Sequence, residues 1–142
     1  MAYGTGAVAT NTTWQIIPGM TQTVIVPAGM TAKILVRAGI GLNTNCATNG
    51  GISGTDIAIY RNAGLLPKGG FKRVYIGDAL IDLDENNVYG NPSMEVIETL
   101  GAGTYIYDLR CNQELTGSCN ASVGGATGDI RQGVLSLIVI LQ

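Results

Sequence analysis

Apolar and polar positions alternate with a period of two through much of the chain, as in strands with one dry face and one wet face. Ala32, Ile34, Val36 and Ala38 alternate with Lys33, Leu35 and Arg37, and Met94 and Val96 alternate with Glu95, Ile97 and Thr99. Turn-forming Gly, Pro and Asn residues bound such segments. Together they predict eight strands: 12–17, 21–26, 31–42, 55–61, 71–77, 93–100, 104–111 and 134–141. Pro18-Gly19 and Pro27-Ala28-Gly29 read as stops after the first two. Loops are expected at 43–54, 78–91 and 112–132, and residues 1–11 read as a flexible N-terminal arm. No segment carries a convincing 3.6-residue period. The expectation is therefore one all-β domain over residues 1–142, an antiparallel sandwich or barrel, and eight strands is the jelly-roll number.

The last segment breaks the alternation. In Val134–Leu141, seven of eight residues are apolar and only Ser136 interrupts. Leu135, Leu137, Val139 and Leu141 share one face; Val134, Ser136, Ile138 and Ile140 share the other. One face can line a sandwich interior, and the second needs a cover. Four exposed aliphatic side chains would each forgo roughly 1.5–3 kcal/mol relative to full burial. That is large against a net stability of roughly 5–15 kcal/mol. A second subunit would cover that face; the alternative is a loop of the same chain.

Composition strengthens the case for a subunit. Hydrophobic residues make up 46% of the chain and charged residues 13%, against roughly 25% charged in an ordinary soluble domain. Mean hydropathy is +0.26. A chain this poor in charge has little polar surface with which to cover apolar area, which favours burial between subunits. The net charge of −2 and the scattered Lys and Arg residues give no nucleic-acid footprint. No apolar run reaches the ~20 residues of a membrane-spanning helix, so no membrane insertion is expected. No signal peptide is visible at the N-terminus.

The ordered segments TWQIIPG, VPAGMTAKILVRAGIG, TDIAIYRNAGLLPKGG, LGAGTYIYDLR and QGVLSLIVILQ resemble the tumour-necrosis-factor-like jelly roll, in particular the globular-head domains of the first complement component. The resemblance implies an eight-stranded antiparallel jelly-roll sandwich that assembles as a homotrimer. It places the first, third, sixth and eighth strands in the sheet around the threefold axis. The trimer interface is accordingly expected at Leu135, Leu137, Val139, Leu141, Trp14, Met94 and Val96. Phage and bacterial proteins of this look serve as virion fibres, tips, surface decorations or adhesins. The implied setting is thus a virion or extracellular surface. Possible partners are the chain itself, a host surface glycan or receptor, or other virion proteins.

Candidate chemistry is sparse. The chain contains no His, which removes Ser-His-Asp and Cys-His sites and the usual ligands of a cupin-type metal centre. No enzymatic activity is expected. Asp82, Asp84 and Glu85 in an acidic loop offer hard oxygen ligands for calcium, although a solvated acidic loop explains them as well. Of three cysteines, Cys111 and Cys119 could close a disulfide around the intervening loop, or all three could be free thiols. Trp14, Tyr60, Tyr75, Tyr105 and Tyr107 could form a sugar-stacking patch or simply pack in the sandwich. Arg37, Asp56, Arg61, Arg73 and Arg110 could form ion pairs. A carbohydrate- or calcium-dependent binding module is the competing functional expectation.

Overall fold

A computed structural model describes residues 1–10, 12–46, 52–67, 69–77, 87–116 and 119–142. Within them the chain is all-β, without a helix, and its ladders are antiparallel. In chain order the strands are β1 (Ala2–Tyr3), β2 (Val8–Ala9), β3 (Gln15–Val26), β4 (Ala32–Gly39), β5 (Leu42–Cys46), β6 (Ile52–Arg61) and β7 (Gly64–Leu65). They continue with β8 (Phe71–Gly77), β9 (Asn87–Gly90), β10 (Ser93–Leu100), β11 (Gly103–Thr116), β12 (Cys119–Val123) and β13 (Val134–Leu141).

These strands form three sheets, of order β1-β13-β4-β10, β3-β11-β6 with β7 and β8 both on β6, and β2-β12-β5-β9. The first two sheets share one core, an arrangement compatible with a β-sandwich. Ile34, Val36, Ala38, Met94, Val96 and Leu135 from the first sheet pack with Ile17, Met20, Ile57, Ile59, Tyr107 and Leu109 from the second. The alternation read in β4 is met: Ala32, Ile34, Val36 and Ala38 are buried, while Lys33 and Arg37 are exposed. Burial of these side chains against the facing sheet is the main term holding the sheets together.

Three expectations change. First, Pro18-Gly19 does not separate two strands. β3 runs through it, and its ladder with β11 skips from Thr21–Asp108 to Ile16–Arg110. The extra residues form a bulge. Proline is tolerated there because no ladder hydrogen bond is required of it; its carbonyl accepts a bond from the Thr5 N–H at 3.0 Å. Gly19 has φ +79°, and a Cβ on it would lie 2.4 Å from the Tyr3 carbonyl oxygen, so glycine is required at that point.

Second, residues 1–10 are not a detached arm. β1 pairs with β13 and β2 with β12, and the Gly4 N–H donates to the Gly133 carbonyl at 3.0 Å. Third, the regions expected as loops at 43–54 and 112–132 contain strand. β5 and β12 pair from Cys46–Cys119 to Leu42–Val123, with Leu42, Thr44, Ala121 and Val123 buried. Thirteen strands in three sheets thus stand where eight were expected.

The turn ahead of β13 is pinned by one guanidinium. Arg131 donates to both Asp129 carboxylate oxygens at 3.0 and 2.7 Å, to Asn43 Oδ1 at 2.9 Å and to Ser122 Oγ at 3.1 Å. This ties the start of β13 to the third sheet.

Candidate functional site

The two neighbours of β4 are in register with it over the same residues. Ile97 and Ile138 both lie opposite Leu35, Thr99 and Ile140 opposite Lys33, and Glu95 and Ser136 opposite Arg37. Alternate residues share a face, so these nine side chains are three rows across the sheet surface that points away from the core. The middle row is wholly aliphatic: Ile97 is 59% exposed and Ile138 53% exposed, with Leu35 half-buried between them. Beside it, Arg37 pairs with Glu95 at 2.9 Å, both side chains at least half exposed. Such a pair contributes little.

The apolar surface continues around the sheet edge. β1 covers β13 only at Val134 and Leu135. From Ser136 to Leu141, β13 has no second ladder partner among the described residues. Val139 and Leu141 point to the interior side, yet at this open end they remain 38% and 45% exposed; Ile140 is 55% exposed. Four consecutive aliphatic residues, Ile138–Leu141, are therefore wet on both faces of an edge strand.

This geometry corrects the expected interface. Leu135, Met94 and Val96 face the buried core and not the outward surface of the sheet. Leu137 is partly buried against that core. Val139 and Leu141 are accessible, but at the open end and not on the outward face. Trp14 is on the other sheet, edge-on to Tyr60 at 5.5 Å and to Phe71 at 6.4 Å between ring centres. The outward aliphatic residues are Leu35, Ile97, Ile138 and Ile140. The signal that finds them is the face of β4 carrying Lys33, Leu35 and Arg37, carried across to its neighbours.

The outer surface of the second sheet is organised differently. Arg73 donates to both Asp56 oxygens at 2.6 and 2.8 Å and lies 3.2 Å from Glu114. Arg110 grips Asp108 at 2.5 and 3.0 Å, and its guanidinium stacks 4.3 Å over the Tyr60 ring. Asp56 and Asp108 are both buried, and their cationic partners offset the cost of dehydrating them. Hydrogen bonding to Asp56 and Asp108 raises the Arg73 and Arg110 pKa values further above their already high range. All the expected ion-pair residues are paired in this fold. Arg61 joins Glu98, which also accepts a 2.9 Å bond from the Tyr107 hydroxyl. This partly buried trio was not visible in the sequence. Burial, then the Glu98 hydrogen bond, raises the Tyr107 pKa. Tyr105 donates to the Gly101 carbonyl at 2.9 Å, and Tyr75 is exposed.

The possible Cys111–Cys119 disulfide does not form. Cys111 is a free thiol in the core, its pKa pushed up to about 12 by burial, and is inert as a nucleophile. Cys119 is disulfide-bonded, and the residue opposite it in the β5–β12 ladder is Cys46. Asp82, Asp84 and Glu85 lie outside the described residues. Among the described residues no group of three or more Cys, Asp or Glu could hold a metal ion, and no helix is long and apolar enough to cross a membrane. In comparisons with known proteins, the chain matches no family model and no curated protein.

Proposed function

We propose that this chain is a non-enzymatic structural or attachment protein, a jelly-roll domain that assembles as a homotrimer on a phage virion or bacterial surface and displays loops for recognition. The observation that carries the reading is the uncovered aliphatic surface of Leu35, Ile97 and Ile138–Leu141 on a sheet face and its edge. A surface of this kind marks an interaction site. The sheet orders β1-β13-β4-β10 and β3-β11-β6-β8 support the jelly-roll part, because the chain crosses repeatedly between two antiparallel sheets. The lack of His and the low charge fit assembly better than catalysis.

Light scattering at micromolar concentration tests this directly. The expected particle mass is three times the 14.7 kDa of one chain. A stable single chain overturns self-association, and a particle of two chains overturns the trimer.

A saccharide-binding role is the second reading. It is favoured by Phe71 and Tyr75, exposed beside half-buried Trp14 and the paired Arg73 and Arg110 on the second sheet. Binding on a glycan array that is lost in Phe71→Ala and Tyr75→Ala would support it.

A further inference from the structure

We propose that residues 136–141 of one copy seat along the free edge of β10 in a second copy, so that the joint is head-to-tail between two different surfaces of the same chain. This rests on the self-association proposed above and names the surface that meets β13.

β10 pairs with β4 on one side only among the described residues, and β13 beyond Leu135 likewise has β4 alone. Among the described residues they are the two edges of a single sheet that lack a second ladder partner, with Gly69 close to the Glu95 carbonyl at one end of β10. An open strand edge presents unpaired N–H and C=O groups and is a template for another strand. Beside β10 runs a groove of about 660 Å³, with Glu95 to Leu100 along one wall and Arg61 and Pro67 on the other. The open edge of β13 is six residues long, Ser136–Leu141, and so is that wall. Both segments lie opposite the same six β4 residues, Ala32–Arg37, and run in the same direction. A rotation about an axis along the strands brings the two edges side by side without a large shift along it. The outward row of Ile97, Leu35 and Ile138 would then continue into the same row of the neighbour.

Charge fits as well. Ser136–Leu141 carries no charged side chain. In the groove, Glu98 is paired with Arg61 and Glu95 with Arg37, so a neutral strand meets a wall whose charges are already matched. The resulting β13–β10 pair would be parallel. Parallel strands are covered on both faces and read as continuous apolar runs, which is the pattern of Val134–Leu141. A joint between unlike surfaces repeats around a rotation axis and can close a ring.

The test uses two exposed positions of one row, Thr99 on β10 and Ile140 on β13. Thr99→Cys and Ile140→Cys chains are co-expressed and oxidised mildly. The expected result is a covalent dimer in the mixture and none with either variant alone. The double variant should give a covalent ladder ending at three chains. Linkage of Ile140→Cys with itself would mean a two-fold joint between like edges and overturns the proposal. No linkage in any combination, while light scattering still reports an assembly, overturns this joint and leaves self-association standing. A single-chain mass for the unmodified protein overturns both. As an independent measurement, Thr99→Arg and Ile140→Arg should each reduce the assembled mass to that of one chain. Dissociation by Ile140→Arg alone would count against β10 as the acceptor.

Discussion

The two outer faces of this sandwich solve the same problem in opposite ways. On the β3-β11-β6-β8 side, Asp56 and Asp108 are buried under their own arginines, and Trp14, Tyr60 and Phe71 lean on one another. The two buried carboxylates there are answered within the chain. On the β1-β13-β4-β10 side, the Arg37–Glu95 ion pair is exposed and the centre of the sheet is an exposed aliphatic row. A face finished by internal pairs can stand in water as it is. A face finished by Leu35, Ile97, Ile138 and Ile140 gains from a partner roughly in proportion to the apolar area removed from water. Location of charge, more than its amount, distinguishes the free side from the side proposed for assembly.

The sharpest way to break the comparison is to cut two side chains from the same strand. Leu135 is fully buried and Ile138 is 53% exposed. In the dissociated chain, Leu135→Ala should cost about 2–5 kcal/mol because it opens a cavity. Ile138→Ala should stay within about 0.5 kcal/mol, as a surface change does. Urea denaturation at high dilution measures both. Equal losses would mean that the two faces of β13 are not as unlike as their burial makes them.

Next in size is the contrast between ion pairs. Asp108→Ala strips a buried partner from Arg110, whose side chain is 19% exposed, and should cost about 1.5–3 kcal/mol, the range of a charge-assisted hydrogen bond. Arg37→Ala on the other face should cost no more than about 0.5 kcal/mol, since both members of its pair are solvated. A double-mutant cycle at each pair gives the coupling separately from the loss of the side chain.

That contrast also says what could be read from the sequence. The long strands of the two main sheets were legible, because a buried face and turn residues leave a period and its punctuation. The two-residue strands β1, β2 and β7 were not, being too short to show a period, and two longer parts were not either. β5 and β12, with LNTNC and CNASV, hold too few apolar residues for a period to show. Their pairing comes from the backbone ladder, from Thr44 and Ala121 tucked inward, and from the bonded Cys119. In β13, alternation cannot distinguish inside from outside when both faces are apolar. Leu135 and Val134 differ in burial because they point to opposite faces of β13, and the register against β4 sets which face is the core one. The need for a cover was therefore visible in Val134–Leu141, whereas the face that needs it became clear only from the register. Pro18-Gly19 misled for a related reason: a bulge uses the same residues as a turn.

A change that leaves fold stability nearly untouched should still undo the assembly. Ile138→Lys places a charge in the aliphatic row, where solvent is available in the single chain and absent under a partner. The unfolding midpoint of the isolated chain should move by less than about 0.5 kcal/mol, while the scattering mass should fall to that of one chain. An equivalent charge on the other face, Ile16→Lys at a 50% exposed position, should leave the mass unchanged. A drop in mass with Ile16→Lys would move the assembly surface to the second sheet.

The smallest expected effect concerns acid, and it separates the pinning of β13 from the covering of it. Asp129 accepts two side-chain bonds and a backbone bond from Arg131, which hold its pKa down at about 2. An ordinary Asp titrates near 3.9. A carboxylate with a depressed folded pKa contributes stability that is fully present above the ordinary value and is lost as pH falls through the folded one. The contribution of this clamp should thus be complete above about pH 4, fade towards pH 2 and vanish below it. Because Asp129 is partly exposed and its pair is screened by solvent, the shift in melting temperature should be small. Asp129→Asn should melt slightly lower than the unaltered chain at pH 6, and the gap should narrow towards pH 2 and close below it. Assembly through uncharged Ile97, Ile138 and Ile140 has no reason to follow that titration, so the variant should retain its oligomeric mass at pH 6. If Asp129→Asn dissociates the particle there, the turn ahead of β13 is part of the interface, and the division between a self-contained region and an open one has to be redrawn to include it.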